Sequence, residues 1–173
     1  NDVNADSIKN SEIIFLEGYL WDEGEPKSAF DKAINNSKKV AMSLSDLFCV
    51  ERHKSNFLNL VKNKLDITFA NEQEITSLIG AKNFEEVVSF GQQLGKMIII
   101  TRGEKGSVAV SKNEVVECDS LKNLEILDLT GAGDLFAAGY LHGYINGLSI
   151  KESLEKGTVM SAKVIQKIGA RLD

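Results

Sequence analysis

Short apolar runs alternate along this chain with longer stretches in which apolar residues recur every three or four positions. Uninterrupted apolar runs are typical of strands buried on both faces, and the longer period is typical of helices that pack by one face. The sequence therefore predicts strands near residues 13–16, 39–44, 66–70 and 96–101. Helices are predicted near residues 26–34, 46–62, 71 onward and 84–94. Such alternation predicts an α/β fold, a three-layer, open, mostly parallel sheet flanked by helices.

The alternation ends after Thr101. Two further apolar segments, at residues 106–110 and 114–118, are separated by a short polar stretch, which predicts a β-hairpin extension of the sheet. Helices are predicted after it, at about 134–146 and 150–167. Because the chain has no internal repeat, low-complexity tract or linker-like segment, we expect one domain over residues 1–173.

Composition and charge exclude several classes of protein. A hydrophobic content of 43% and a charged content of 26% are ordinary for a soluble globular domain. The net charge of −5, without a long basic run, argues against a nucleic-acid partner. No apolar stretch approaches the roughly 20 residues of a membrane helix, and the N-terminal residues do not resemble a signal peptide. The two cysteines, Cys49 and Cys118, show no metal-ligand spacing. We therefore expect a cytoplasmic protein with no membrane partner.

The most informative segment joins a short apolar run at residues 126–127 to the long helical pattern that follows. Gly131 and Gly133 lack the Cβ that would keep a ligand away from the backbone. The helix behind them begins with free N–H groups, which makes its start a candidate anion site. Asp134 places a carboxylate at this helix start. An anion site beside a carboxylate base suits transfer of a phosphoryl group to a hydroxyl.

Two other interpretations of this segment were considered, and on the residues alone the first has about the same weight as the anion site. It could be an ordinary turn into a helix, with Asp134 as a capping residue. A dinucleotide-binding fingerprint is less favoured, because Phe136 occupies the third glycine position of G-x-G-x-x-G. The chain contains no G-x-x-x-x-G-K-[ST] sequence, so it has no P-loop.

The segment from residue 128 to residue 136, D-L-T-G-A-G-D-L-F, resembles the D-T-x-G-A-G-D-x-F signature of the ribokinase-like (PfkB-type) sugar and nucleoside kinases. One position differs, since Leu129 replaces the usual threonine. The resemblance implies that Asp134 is the general base that activates the acceptor hydroxyl. It also implies that the γ-phosphoryl group in transit is held by the backbone of Gly131, Ala132 and Gly133.

Two upstream segments resemble further motifs of the same family. Asn71 and Glu74 match N-x-x-E, which implies a role in ordering Mg²⁺ and the nucleotide phosphates, mainly through water. From the residues alone, an N-cap with a glutamate at the third helical position is the favoured interpretation of this pair, and its place in the series of family motifs is what favours the Mg²⁺ role. Thr101, Gly103 and Gly106 match the T-x-G-x-x-G turn that binds ATP, although a tight loop into a hairpin would need the same glycines.

The resemblance implies a second ion. Asp128 and Thr130 would contribute to a site for a monovalent cation, K⁺, beside the anion site, and the backbone of Gly169 would complete it. Such a cage of oxygen atoms would stiffen the anion site.

The resemblance covers essentially all 173 residues, but they correspond only to the C-terminal portion of a family member. Residues 15–22 and 45–52 are most similar to the adenosine-kinase-like branch. We therefore expect a kinase that moves the γ-phosphoryl of Mg·ATP to a primary hydroxyl of a sugar or nucleoside. The isolated 173-residue fragment should be inactive, because the acceptor site and lid lie in the other portion, and the full-length protein could form a homodimer. The alternatives are a non-catalytic nucleotide sensor and a dinucleotide-dependent oxidoreductase.

Overall fold

The computed structural model describes residues 3–22 and 26–172 and contains a six-stranded sheet. The strands follow one another across the sheet in sequence order. The first three pair in parallel, with Ile14 opposite Val40 and Ala41 opposite Ile67. The strands are β1 Ile14–Glu17, β2 Val40–Ser43, β3 Ile67–Asn71, β4 Met97–Thr101, β5 Ser107–Val110 and β6 Val115–Cys118. The predicted open, mostly parallel α/β fold with a hairpin extension is confirmed.

Eight α-helices lie within the described residues, and most of those that can be assessed start at a side-chain cap. Asn4, Asp46, Asn71, Asn83 and Ser149 each accept a hydrogen bond from a first-turn amide, which satisfies a donor that has no partner inside the helix. The helices are α1 Ala5–Asn10, α2 Pro26–Asn36, α3 Leu47–Arg52, α4 Lys54–Asn63, α5 Glu72–Ile79, α6 Phe84–Leu94, α7 Ala132–Ile145 and α8 Ile150–Val164. Short 3₁₀ turns occur at Gly18–Asp22 and Gly103–Lys105.

The helices differ from the prediction in four places, the simplest being that α8 ends at Val164 and not at residue 167. The single helix expected over residues 46–62 is two helices, α3 and α4, because His53 between them leaves the helical conformation (φ −115°, ψ 24°). The buried residues Val50, Phe57 and Val61 keep a helical spacing across this break, so the apolar pattern does not reveal it. α1 was not predicted, since it is a single short helix with one buried residue, Ile8. α7 begins at Ala132, two positions earlier than expected.

The chain divides into two compact units. The first comprises the described residues up to Ile99 together with Val110–Asn113, and its core includes the fully buried side chains of Met42, Phe57 and Ile75. The prediction of one domain over residues 1–173 stays a prediction. No helix in the described part of the chain is long and apolar enough to cross a membrane.

The second unit comprises Ile100–Ala109 and the described residues from Glu114 onward. Within it, α7 and α8 pack backbone against backbone. A Cβ added to Gly139 would lie 2.7 Å from the carbonyl oxygen of Lys156, and one added to Gly157 would lie 2.8 Å from that of Phe136. This close contact fixes the direction in which α7 runs, and therefore where its N-terminus lies in this unit.

Candidate active site

The start of α7 has the form expected of an anion site. Gly131 is the N-cap, in a left-handed conformation with φ 77°, and its carbonyl accepts the hydrogen bond of Leu135 N at 2.9 Å. The amides of Gly133 and Asp134 lie in the first turn, where helix geometry supplies no acceptor. A Cβ added to Gly133 would meet no heavy atom within 4 Å. Gly133 therefore provides open space at a helix terminus whose partial charge is positive.

Asp134 is the third residue of α7, and its side chain is exposed. No side chain caps this helix, in contrast to the capped helices elsewhere in the described chain. The capping alternative for Asp134 is therefore wrong, because the N-cap is Gly131 and has no side chain to contribute. The carboxylate remains available for chemistry beside the first-turn amides.

A cavity of about 550 Å³ in the second unit brings two of the sequence motifs together. Its walls include Thr101, Gly103 and Gly106 from the turn after β4. They also include Ala132 and Gly133 from the start of α7. A volume of this size is typical of small-molecule sites. The turn predicted to bind ATP and the predicted anion site at the start of α7 thus border the same cavity.

The glycines of the turn serve different purposes. Gly106 (φ 86°) cannot carry a Cβ, because that atom would collide with the carbonyl oxygen of Cys118 and approach Ser120 N to 2.9 Å. Gly103 (φ 57°) has no heavy atom within 4 Å of the Cβ position. A tight loop therefore explains Gly106 through the missing Cβ and both glycines through their positive φ, and Gly103 also leaves space beside the cavity.

Sequence reasoning missed two further walls of the cavity. One wall is the connection after β6, which contributes residues 120–124, Ile126 and Leu129, and the other is α8. The connection has no regular secondary structure, so no periodicity marked it. One signal was available: Ile126 and Leu129 are apolar residues in a loop, and both are more than half exposed (56% and 66%). From α8 come Thr158, Ser161 and Ala162, with Ile165 just beyond the helix end.

Asp128 organises the turn before α7. Its Oδ1 accepts hydrogen bonds from Thr130 N (2.9 Å) and Thr130 Oγ1 (2.7 Å), and its Oδ2 accepts from Gly169 N (2.9 Å). The Thr130 hydroxyl, followed by the Gly169 amide, lowers the pKa of the Asp128 carboxyl below its usual range. The structure thus brings together the three residues implied for a cation site.

Asn71 and Glu74 lie in the first unit and form a capping box at the start of α5. Asn71 Oδ1 accepts from Glu74 N at 2.8 Å, and Glu74 Oε2 accepts from Asn71 N at 2.9 Å. The capping interpretation is confirmed as local structure, while the Mg²⁺ role stays a prediction. Glu74 is only 5% exposed. Burial raises the pKa of its carboxyl, and the charge of Asp46 adds to this, whereas the Asn71 amide opposes it.

The described residues contain no cluster of three or more His, Cys, Asp or Glu side chains that could hold a metal ion. Mg²⁺ keeps several waters and usually binds through one or two protein carboxylates together with phosphates, so it does not require such a cluster.

Comparison with known proteins decides the family. The family model described as pfkB family carbohydrate kinase matches residues 1–173. The chain belongs to this family. The chain is 33% identical to an ATP-dependent 6-phosphofructokinase of Thermoanaerobacterium thermosaccharolyticum, over 96% of its own length and 54% of the relative's. It is also 33% identical to a cytidine kinase of Thermococcus kodakarensis, over 76% of its length and 49% of the relative's.

A solved structure agrees with this assignment. The adenosine kinase of Sinorhizobium meliloti superposes with a TM-score of 0.95 and 38% identity, over 99% of this chain and 54% of that protein. The predicted membership of a ribokinase-like family with an adenosine-kinase-like branch is confirmed. The chain spans about half the length of the relatives that it matches.

Proposed function

We propose that this chain is part of a kinase that transfers the γ-phosphoryl group of Mg·ATP to a primary hydroxyl of a sugar or nucleoside. One observation carries the proposal: the open start of α7, with its first-turn amides and exposed Asp134, borders the 550 Å³ cavity formed with the turn after β4. Family membership supports the same conclusion.

The cavity suits the nucleotide. Apolar side chains such as Leu124 and Ile165 suit the faces of a purine base, while Thr101, Ser161 and the other hydroxyls supply hydrogen-bonding groups. The phosphates then extend toward the N-terminus of α7, where the Gly133 amide has room for an oxygen atom. No lysine or arginine is needed at this point, because the amides and the helix dipole provide the positive potential.

Asp134 is the proposed general base. It accepts the proton of the acceptor hydroxyl while that oxygen forms a bond to the γ-phosphorus, and the bond from the γ-phosphorus to the β–γ bridging oxygen breaks, which releases ADP. The backbone of Gly131, Ala132 and Gly133 stabilises the negative charge on the phosphoryl oxygens in transit. Most of the acceleration comes from alignment and charge stabilisation, since the protein forms no covalent intermediate.

Two cations belong to the proposal. Asn71 and Glu74 carry the amide and carboxylate oxygens that suit Mg²⁺, and we propose that they hold it through its waters. When bound, Mg²⁺ neutralises charge on the phosphates. Asp128, Thr130 and Gly169 are proposed as the neighbourhood of a monovalent cation such as K⁺. The hydrogen bonds from Thr130 and Gly169 to Asp128 already hold the turn that precedes Gly131.

The acceptor is tested with a small panel of compounds. Adenosine comes first, because the adenosine kinase of S. meliloti is 38% identical, and cytidine and ribose follow. Full-length protein is mixed with Mg·ATP and each acceptor, and ADP formation is followed in a coupled assay. We expect acceptor-dependent ADP formation with at least one sugar or nucleoside. Binding of Mg·ATP without turnover across a wide panel would indicate a sensor, and binding of NAD(H) instead of ATP would indicate an oxidoreductase.

The isolated 173-residue chain provides a second test. We expect it to bind Mg·ATP weakly and to phosphorylate nothing, because it matches only about half of a family member. Calorimetry with Mg·ATP measures the first expectation and the coupled assay the second. Acceptor-dependent turnover by a chain of verified mass would contradict the expected inactivity.

A further inference from the structure

Two segments of the second unit meet along one side of the cavity. The first is the turn after β4, which contributes Gly103 and Glu104, and the second is the connection after β6, which contributes residues 120–124. The connection contains neither helix nor strand, so the repeating hydrogen bonds of regular structure do not hold it in place. Its position over the cavity must therefore depend on a small number of individual contacts.

The backbones of the two segments touch at Gly106. An added Cβ there would lie 2.9 Å from Ser120 N and 3.0 Å from the carbonyl carbon of Asp119. This contact anchors the start of the connection, directly after β6. The contact involves Asp119 and Ser120, whereas the residues of the connection that border the cavity continue from Ser120 to Leu124 and beyond.

Ser120 makes a polar link between the two segments at this point. Its Oγ donates a hydrogen bond of 2.7 Å to the carbonyl oxygen of Glu104, sixteen positions away in the sequence. The Nζ of Lys122 donates to the same Oγ at 3.3 Å, so the hydroxyl is both donor and acceptor. The turn's own hydrogen bonds use the carbonyls of Arg102, Gly103 and Gly106, which leaves that of Glu104 for Ser120.

We propose that Ser120 is a positioning residue for the nucleotide site. It ties the connection after β6 to the Glu104 turn, and thereby holds two walls of the cavity at the separation that the ligand requires. The effect on binding is one of preorganisation, since a wall that is already in place loses less conformational entropy when the ligand binds. This inference rests on the proposed function, because it assumes that a nucleotide occupies the cavity.

The test compares Ser120→Ala with wild type in the full-length protein. Alanine removes the donor to Glu104 and the acceptor for Lys122 but adds no bulk. We expect the Kd and KM for Mg·ATP to rise about fivefold to tenfold, the effect of one or two ordinary hydrogen bonds. The kcat at saturating Mg·ATP and the KM for the acceptor should stay within about twofold of wild type. Ser120 takes no part in the proposed proton transfer to Asp134, and its side chain bonds to Glu104 and Lys122.

Two further variants separate positioning from general stability. Ser120→Thr keeps the hydroxyl and should restore the Kd to within about twofold of wild type. Ser149→Ala is the matched control: it removes the cap of α8, including the 2.6 Å bond to Glu152, at a serine that does not border the cavity. It should lower Tm while leaving the Kd for Mg·ATP unchanged.

The outcomes distinguish this inference from the proposed function. Wild-type protein that binds no Mg·ATP overturns both. Wild type that binds Mg·ATP, with Ser120→Ala binding equally well, overturns only the role of Ser120. Equal losses of affinity in Ser120→Ala and Ser149→Ala would also overturn it, because they would show a response to lost stability.

Discussion

Asp128 and Gly169 are joined by a hydrogen bond of 2.9 Å from the Gly169 amide to Oδ2, across 41 positions of sequence. The other carboxylate oxygen holds Thr130. One side chain thus ties the segment after α8 to the turn that leads into α7. The link is strongest while the carboxyl is ionised, because all three partners donate hydrogen bonds to it and protonation turns one of its two acceptor oxygens into a hydroxyl.

The first prediction follows from the lowered pKa of Asp128. Because its pKa in the folded state is below the usual value of about 4, ionised Asp128 stabilises the fold above that pH, and the contribution is lost as the pH falls through the lowered pKa. Asp128→Asn should therefore lower Tm at pH 7, because the amide nitrogen of asparagine cannot accept a hydrogen bond. The difference in Tm from wild type should shrink below about pH 4. Calorimetry across pH 3–8 measures it, and a difference independent of pH would contradict the assignment.

The second prediction concerns the proposed base. Asp134→Asn should lower kcat by ~10²–10⁴-fold, the usual contribution of a general acid–base group. The Kd for Mg·ATP should change little, because the first-turn amides of α7 are retained. Asp31→Asn, at an exposed position of α2, is the matched control and should leave kcat unchanged. A loss in Asp134→Asn of less than about tenfold would remove Asp134 from the mechanism.

The third prediction uses the open space at Gly133. In Gly133→Val the new side chain meets no protein atom close to Cβ, and a valine in a helix costs at most about 1 kcal/mol, so the fold should be retained. The side chain instead enters the cavity, and kcat/KM should fall by at least ~10²-fold, as when an oxyanion donor is lost. Circular dichroism checks the fold. Ala138→Val, at an exposed position in the same helix, should retain activity.

The fourth prediction concerns the contact between α7 and α8. Gly139→Ala places a Cβ 2.7 Å from the carbonyl oxygen of Lys156, so the helices must separate. Overpacking of this kind costs about 1–3 kcal/mol, which should appear as a lower midpoint in urea unfolding. Gly133→Ala adds the same methyl group in open space and should be neutral or slightly stabilising. Equal urea midpoints for Gly139→Ala and Gly133→Ala would contradict this prediction, because they would show that α7 and α8 accommodate the added methyl group without loss of stability.

Sequence patterns predicted the strands and most helices because burial imposes a period on them. Residues 84–94 were predicted as a helix and form α6 over the same range. The Gly131–Gly133 segment was singled out because the proposed chemistry requires residues at fixed spacing, and its role as an anion site stays a prediction. The wall formed by residues 120–124 was missed because a loop has no period, and Ser120 acts through a backbone carbonyl that leaves no mark on the sequence. The break at His53 was missed because both helices share one apolar face.

Gly139 and Gly157, where α7 and α8 touch, also affect how the results of a mutational survey of this protein should be interpreted. Every missense change at Gly139 or Gly157 adds at least one carbon atom where the neighbouring backbone leaves no room. Such variants would lose activity because less folded protein is present, while the catalytic residues of each folded molecule are unchanged. A survey scored by growth alone would therefore assign false catalytic positions to both α7 and α8, whereas one that also records protein abundance would separate them from Asp134.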